Sequence, residues 1–197
     1  MRNAYALLGL AFLVVFGGAF ILFERVHAPA VSEESTQHDM ALSLTSSVFA
    51  HNAAIPSMYT CDGDNVLPPL SIGGVPDGTV SLVLVMDDPD IPLEIKTARD
   101  IEKFDHVAAY NIPPETTVIE HEADLTTFAL NGRGEEGYIG PCPPTEYEPR
   151  EHRYVFRLYA LPKMLQFATT PTLDELEAAA RANAIEQTEL IGRYQRE

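Results

Sequence analysis

The sequence predicts a mainly β domain carried behind an apolar N-terminal segment. Short apolar runs with a period near two recur along most of the chain, and Pro/Gly turns punctuate them. A separate stretch near the N-terminus runs for about twenty residues without a charge, long enough to span a bilayer core as a helix. The chain has 197 residues, which suits one core-forming domain.

In chain order, the uncharged stretch occupies residues 4–23, with Arg2 before it and Glu24 and Arg25 after it. With it, residues 1–23 read as an N-terminal transmembrane helix, a membrane anchor or signal segment. The basic residue ahead of it orients the N-terminus to the cytoplasm and the remaining chain outside, periplasmic or at the cell surface. Ala28-Pro29-Ala30 offers small residues to a peptidase, so a cleaved, secreted form is one alternative. A buried helix is another. Residues 24–39 have no apolar period and carry a polar SEEST cluster, a linker between membrane and domain. The domain then covers residues 40–197.

Within the domain, residues 40–49 alternate weakly, and Thr79 to Met86 is a short, β-branched apolar run. His106 to Ile112 and Tyr154 to Leu161 are similar. VPDG, NIPPETT and GPCPP bound these runs and predict turns. The pattern is that of a sandwich or another β-rich fold. The C-terminal part differs. Thr172 and Glu175 are spaced as a capping box after Pro171, and Leu173, Leu176, Ala180, Ala184, Leu190 and Ile191 then recur near helical spacing. Arg193 and Arg196 would lie in the last turn of that helix, where its dipole favours cations.

The net charge is −16, and 46% of residues are apolar. The apolar share excludes a wholly disordered polymer, and the acidity excludes a bulk electrostatic grip on nucleic acid. Setting aside Arg2, Arg25, Glu24, Glu33, Glu34 and Asp39 leaves −14 on residues 40–197, so the acidity belongs to the folded domain. No Ser elbow, Walker loop, HExxH motif or paired metal-ligand spacing occurs, and the sequence implies no metal or cofactor.

Four loop clusters hold the residues with chemistry. Asp87, Asp88 and Asp90 follow the most apolar run, among Pro89 and Pro92. Three carboxylates at a strand end can bind a cation, orient a ligand amine or hydroxyl, or simply cap a turn. His106 opens the next run. Gly137 to Pro144 joins glycines to a rigid Pro-rich segment, able to present bare backbone N–H groups or to serve as a stiff connector. His152 and Tyr154 share a face by alternation, with Arg153 between them. Two histidines and an arginine could form an anion pocket in an otherwise negative domain.

Taken in order, these motifs resemble the phosphatidylethanolamine-binding protein family, in particular its bacterial and archaeal Raf kinase inhibitor-like branch. The resemblance rests on Tyr59-Thr-Cys-Asp-Gly63, Pro68-Pro-Leu70, Gly74-Val-Pro-Asp-Gly78 and Asp88-Pro-Asp-Ile-Pro92. It continues through Asp105-His106, Tyr110-Asn-Ile-Pro-Pro114, Gly137-Tyr-Ile-Gly-Pro-Cys-Pro-Pro144 and His152-Arg-Tyr154 with Leu158-Tyr-Ala-Leu161. Glu189-Leu-Ile-Gly-Arg-Tyr194 resembles the family's closing helix. The resemblance implies two packed antiparallel sheets with peripheral helices and a small pocket for phosphate-like anions or phospholipid head groups. The pocket wall would be Asp88, Asp90, His106, Gly140, Pro141, His152 and Tyr154. The imidazoles and the Gly140 backbone would donate to phosphoryl oxygens, Asp88 would hold a histidine or a ligand ammonium, and Tyr154 would add a hydroxyl. A cis bond before Pro92 is also implied.

This chain departs from the family pattern in having Val107 where a Trp commonly follows the ligand histidine, and in lacking an aromatic in Asn131-Gly-Arg-Gly134. The residues from Glu94 to Lys103 form an insertion able to cover part of the pocket. Cys61 and Cys142 both lie among the site motifs. They can form a disulfide, supply a Cys–His nucleophile with His106 or His152, or remain two separate thiols. Three functions follow. The first is a tethered extracytoplasmic module for a small anionic or phosphate-containing ligand, without enzyme activity. The second is an inhibitor of a protease or kinase through protein contacts. The third is an acid–base hydrolase using the His/Asp pocket.

Overall fold

The computed structural model describes residues 41–197; the predicted membrane segment 4–23 and the linker 24–39 lie outside them. Among the described residues no helix is long and apolar enough to cross a membrane. The strands are β1 (Ser43–Ser46), β2 (Ala53–Ala54), β3 (Leu70–Gly73), β4 (Ser81–Asp88), β5 (Phe104–Ile112), β6 (Val118–Ile119), β7 (His152–Leu161) and β8 (Glu186–Tyr194). Helix α1 (Leu93–Arg99) lies between β4 and β5, and α2 (Leu173–Arg181) between β7 and β8.

Two sheets result. The smaller has the order β1-β3-β6 and the larger β2-β8-β7-β4-β5. All pairings are antiparallel except the two-residue β2, which runs parallel to β8. Leu44, Leu70, Ile72 and Ile119 of the small sheet meet Leu82, Leu84, Met86, Phe156 and Leu158 of the large one in the main core. The opposite face of the large sheet presents Val83, Val85, Tyr159 and Leu161 to Leu173, Leu176 and Ala180 of α2. β4 is therefore buried on both faces along its whole length, which explains why its apolar residues run continuously instead of alternating. Each such fully buried aliphatic side chain contributes roughly 1.5–3 kcal/mol of transfer free energy.

The C-terminal prediction is half right. The capping box forms as expected: the Thr172 hydroxyl accepts from the Glu175 N–H, and the Glu175 carboxylate accepts from the Thr172 N–H. The helix stops at Arg181, however, and residues 186–194 form a strand, not a closing helix. β8 pairs with β7 from Ala160↔Glu186 to His152↔Tyr194, supplying partners for backbone groups that β7 would otherwise bury unpaired. Gly192 lets β8 lie against the core, since a Cβ there would come within 2.5 Å of Ile55 Cγ1. Arg181, not Arg193 or Arg196, is the cation of the last turn of α2.

The proline prediction is also corrected. The cis bond among the described residues is Glu148–Pro149, and the bond before Pro92 is trans. Pro92 is extended and stands at the N-terminus of α1, where its carbonyl accepts from the Ile95 and Lys96 N–H groups.

Candidate functional site

Asp87 and Asp88 end β4 and face opposite sides of the sheet. Asp87 turns toward α2 and pairs with Arg157 at 2.6 Å. Asp88 turns the other way, and its Oδ2 lies 2.6 Å from His152 Nδ1. Its Oδ1 accepts from the Asp90 N–H at 2.8 Å, an Asx turn that closes the proline-rich loop.

His152 opens β7 and is fully buried. Its Nε2 lies 3.0 Å from the Pro149 carbonyl. Both ring nitrogens are therefore committed within the protein, Nδ1 to Asp88 and Nε2 to Pro149.

His106 owes its position to a β-bulge. Met86 pairs with Val107 and Asp87 with Asp105, which leaves His106 as the extra residue of β5. The ring is 3% exposed, and Nδ1 lies 2.5 Å from the Ile139 carbonyl. A carbonyl only accepts, so Nδ1 carries the hydrogen. Burial holds the His106 pKa below its ordinary value, which leaves a neutral ring with a bare Nε2. That Nε2 has no hydrogen-bond partner.

The wall from Tyr138 to Cys142 is fastened to the loop spanning residues 57–65. Tyr138 donates to the Tyr59 carbonyl at 2.8 Å, Cys61 N–H to the Pro141 carbonyl at 3.0 Å, and Gly140 N–H to Asn65 Oδ1 at 2.9 Å. Gly140 is required by this close approach: a Cβ would fall 2.4 Å from Asn65 Oδ1 and 2.8 Å from the Tyr59 carbonyl oxygen. The wall is also tied by a disulfide between Cys61 and Cys142, whose Cα atoms are 5.4 Å apart. With both sulfurs bonded, the Cys–His nucleophile has no thiol.

These elements surround a cleft of about 290 Å³. Of the seven residues predicted to form the pocket, Asp88, His106, Gly140 and His152 line it. Asp90, Pro141 and Tyr154 do not. Asp90 is taken by Arg153, which donates to it from its backbone and through Nε and Nη2 at 2.7–2.9 Å. That guanidinium holds the Asp90 carboxyl below the usual range. Tyr154 does share a face with His152, their rings stacking at 6.4 Å, but it lies fully buried behind His106. Its hydroxyl has no hydrogen-bond partner, and burial pushes its pKa up. The donors expected from His152 and from the Gly140 backbone are both occupied within the protein.

The structure adds wall residues that the sequence reading missed. Ile91, Ile95, Phe104, Ile139, Pro143 and Pro144 make the cleft largely apolar. α1 is the predicted covering insertion, and it contributes Ile95 and Arg99. Arg133, from the Asn131–Gly134 turn, also lines the cleft. Arg99 lies over the Phe104 ring at 5.7 Å and donates to the Gly132 carbonyl. Among the described residues, Arg150, Arg153, Arg157, Arg181, Arg193 and Arg196 each pair with a carboxylate. Arg99 and Arg133 do not, and both are in the cleft. The scarcity of basic residues in so acidic a chain was the signal available in the sequence; which arginines stay unpaired is decided by the fold. Among the described residues no three His, Cys, Asp or Glu side chains converge on a metal position.

Comparison with known proteins agrees with this fold. Residues 45–195 match the family described as Phosphatidylethanolamine-binding protein. The UPF0098 protein of Pyrococcus horikoshii is 40% identical over 159 residues, covering 77% of this chain and 75% of that protein. The UPF0098 protein of Methanothermobacter thermautotrophicus is 37% identical over 162 residues, covering 79% of this chain and 99% of that one. The crystal structure of a phosphatidylethanolamine-binding protein homolog from Chlamydia trachomatis superposes with a TM-score of 0.71 at 35% identity, covering 80% of this chain and 99% of that one.

Proposed function

Because the chain belongs to the phosphatidylethanolamine-binding protein family, we propose that its cleft captures a small anionic, phosphate-containing ligand and that the domain is a binding module, not a catalyst. One observation carries this reading: among the described residues, the two arginines without a carboxylate partner, Arg99 and Arg133, both line the cleft. The surrounding domain is strongly acidic, so a local cationic mouth is where an anion finds attraction. Asp88 and His152 form a self-contained pair beneath it and stiffen the floor. In this reading residues 4–23 hold the domain to the membrane, outside the cytoplasm. The Cys61–Cys142 disulfide supports that location, since such bonds persist in oxidising compartments.

The test is calorimetric titration of the full chain with phosphoethanolamine and with inorganic phosphate. Binding at millimolar concentration or tighter is expected, weakened about tenfold or more by the R99Q/R133Q pair, the worth of charge-assisted hydrogen bonds. Absence of binding by both probes at millimolar concentration overturns the reading. Protease protection in sealed membranes tests the location: the domain should be cut from outside and protected from inside.

A further inference from the structure

Two of the three buried side-chain atoms that lack a hydrogen-bond partner among the described residues lie together behind one wall of the cleft. They are His106 Nε2 and the Tyr154 hydroxyl, on rings in edge-to-face contact at 5.2 Å. Both are sealed from solvent. The wall over them runs from Ile139 to Cys142. Ile139 is pinned to β5: its N–H donates to the His106 carbonyl, and its carbonyl accepts from His106 Nδ1. Tyr154 faces the Cys142 backbone: burial pushes the tyrosine pKa up, and the Cys142 N–H acts against it. With Ile139 held, the part of the wall able to move is Gly140–Cys142. Two hydrogen bonds and the disulfide tie that part to the loop spanning residues 57–65. Cys61 N–H donates to the Pro141 carbonyl and Gly140 N–H to Asn65 Oδ1. Water can replace those two bonds when they break, but it reaches the two orphaned atoms only if the wall moves. Hydrating two buried orphans offsets the loss of two such bonds, so the covalent tie decides whether the wall stays shut. Both cysteines are exposed, and Cys142 also lines the cleft.

Resting on the reading that the cleft takes a phosphate-containing anion, we propose that Cys61–Cys142 is a site of thiol–disulfide exchange that locks the buried end of the cleft. The reagent is an external dithiol. One of its thiolates attacks one protein sulfur, and the other protein sulfur leaves as a thiolate; the reagent's second thiol then displaces the first sulfur and closes its own disulfide. The protein S–S bond breaks, the reagent's S–S bond forms, and two electrons and two protons pass to Cys61 and Cys142. Gly140–Cys142 then swings away and opens His106 and Tyr154 to water and to the ligand. In water the imidazole loses the burial that keeps it neutral, and with the tyrosine hydroxyl it becomes a donor for phosphoryl oxygens. The oxidised chain holds the anion weakly and the reduced chain holds it tightly.

The test titrates inorganic phosphate into the full chain by calorimetry, oxidised and after reduction with dithiothreitol. Phosphate should bind about tenfold more tightly to the reduced chain, the worth of one charge-assisted hydrogen bond, and reoxidation should return the original affinity. The C61S/C142S pair should bind like the reduced chain. Tyr154→Phe removes only a hydroxyl without a partner, and in that variant the gain on reduction should fall to about threefold or less. A full tenfold gain there overturns the proposal. Amide hydrogen exchange on the same samples should quicken on reduction at Cys61 and Gly140, whose N–H groups make the two ties, and stay unchanged in β4 and β7. Quickening throughout, or unfolding on reduction, overturns the proposal, because the bond would then be a staple of the whole domain. Equal phosphate affinity in the two states also overturns it and leaves anion capture standing. If phosphate and phosphoethanolamine bind in neither state, the anion reading falls and the lock with it.

Discussion

The two faces of the central sheet handle charge in opposite ways. On the α2 side, Asp87 pairs with Arg157, Arg157 and Arg181 reach Glu177, and Lys103 bridges Asp87, Asp105 and Asp174. Tyr159 donates to Glu177 at 2.8 Å. Cations and carboxylates there answer one another, and among the buried side-chain atoms of the described residues on that side only Asp87 Oδ1 lacks a partner. On the cleft side, two arginines have no carboxylate and a buried imidazole nitrogen has no partner among the described residues. A network closed on itself holds structure; one left open toward a cavity has capacity for a ligand. Adjacent aspartates of one strand, Asp87 and Asp88, serve these two ends because successive strand residues face opposite sides.

The largest effect should come from cutting the strap of the cleft wall. Cys142→Ser opens a bridge with a sequence separation of 81 and should cost about 4 kcal/mol by chain entropy. Urea unfolding under oxidising conditions measures it, and an unchanged midpoint would show that hydrogen bonds alone hold the wall. Next is Arg157→Leu, which leaves the buried Asp87 carboxylate only the longer contact to Lys103 and should cost roughly 3 kcal/mol. Phosphoethanolamine affinity should stay within about twofold in that variant. A larger loss would show that the two faces are coupled and would break the comparison.

Smaller again is Thr172→Ala, which removes the N-cap of α2 and should cost about 1 kcal/mol without touching the cleft. The last effect is confined to acid. The folded pKa of His106 is depressed, so between that value and the ordinary 6.5 the unfolded chain binds the extra proton. Its contribution is whole above about pH 6.5 and is lost as pH falls toward the folded pKa. Stability measured from pH 7.5 down to 5 should decline more steeply in the parent than in H106F. Equal slopes would mean that the ring is not held neutral.

How much was legible in the sequence follows from the range of each cause. The period-two runs, the Pro/Gly turns and the Thr172/Glu175 capping box are local, and they located β4, β5, β7 and the start of α2. The alternation of His152, Arg153 and Tyr154 is local too: the first and third are buried on one face, and Arg153 turns out to Asp90. Glu186–Tyr194 was illegible because its apolar spacing fits a helix as well as a strand, and the unpaired edge of β7 settled the matter. The bulge that frees His106 depends on register with β4, and the unanswered state of Arg99 and Arg133 stands out because, among the described residues, the other arginines have found carboxylates.

The sequence by itself determined the family, the β-rich core and the acidity of the domain, because composition, periodicity and ordered motifs do not depend on which residues meet across the fold. Tertiary structure decided which polar atoms are spent and which remain. Hydrogen-bond partners such as Asn65 for Gly140, Ile139 for His106 and Pro149 for His152 are assigned only when distant segments pack. A buried polar group becomes either scaffold or site according to whether that packing supplies its partner.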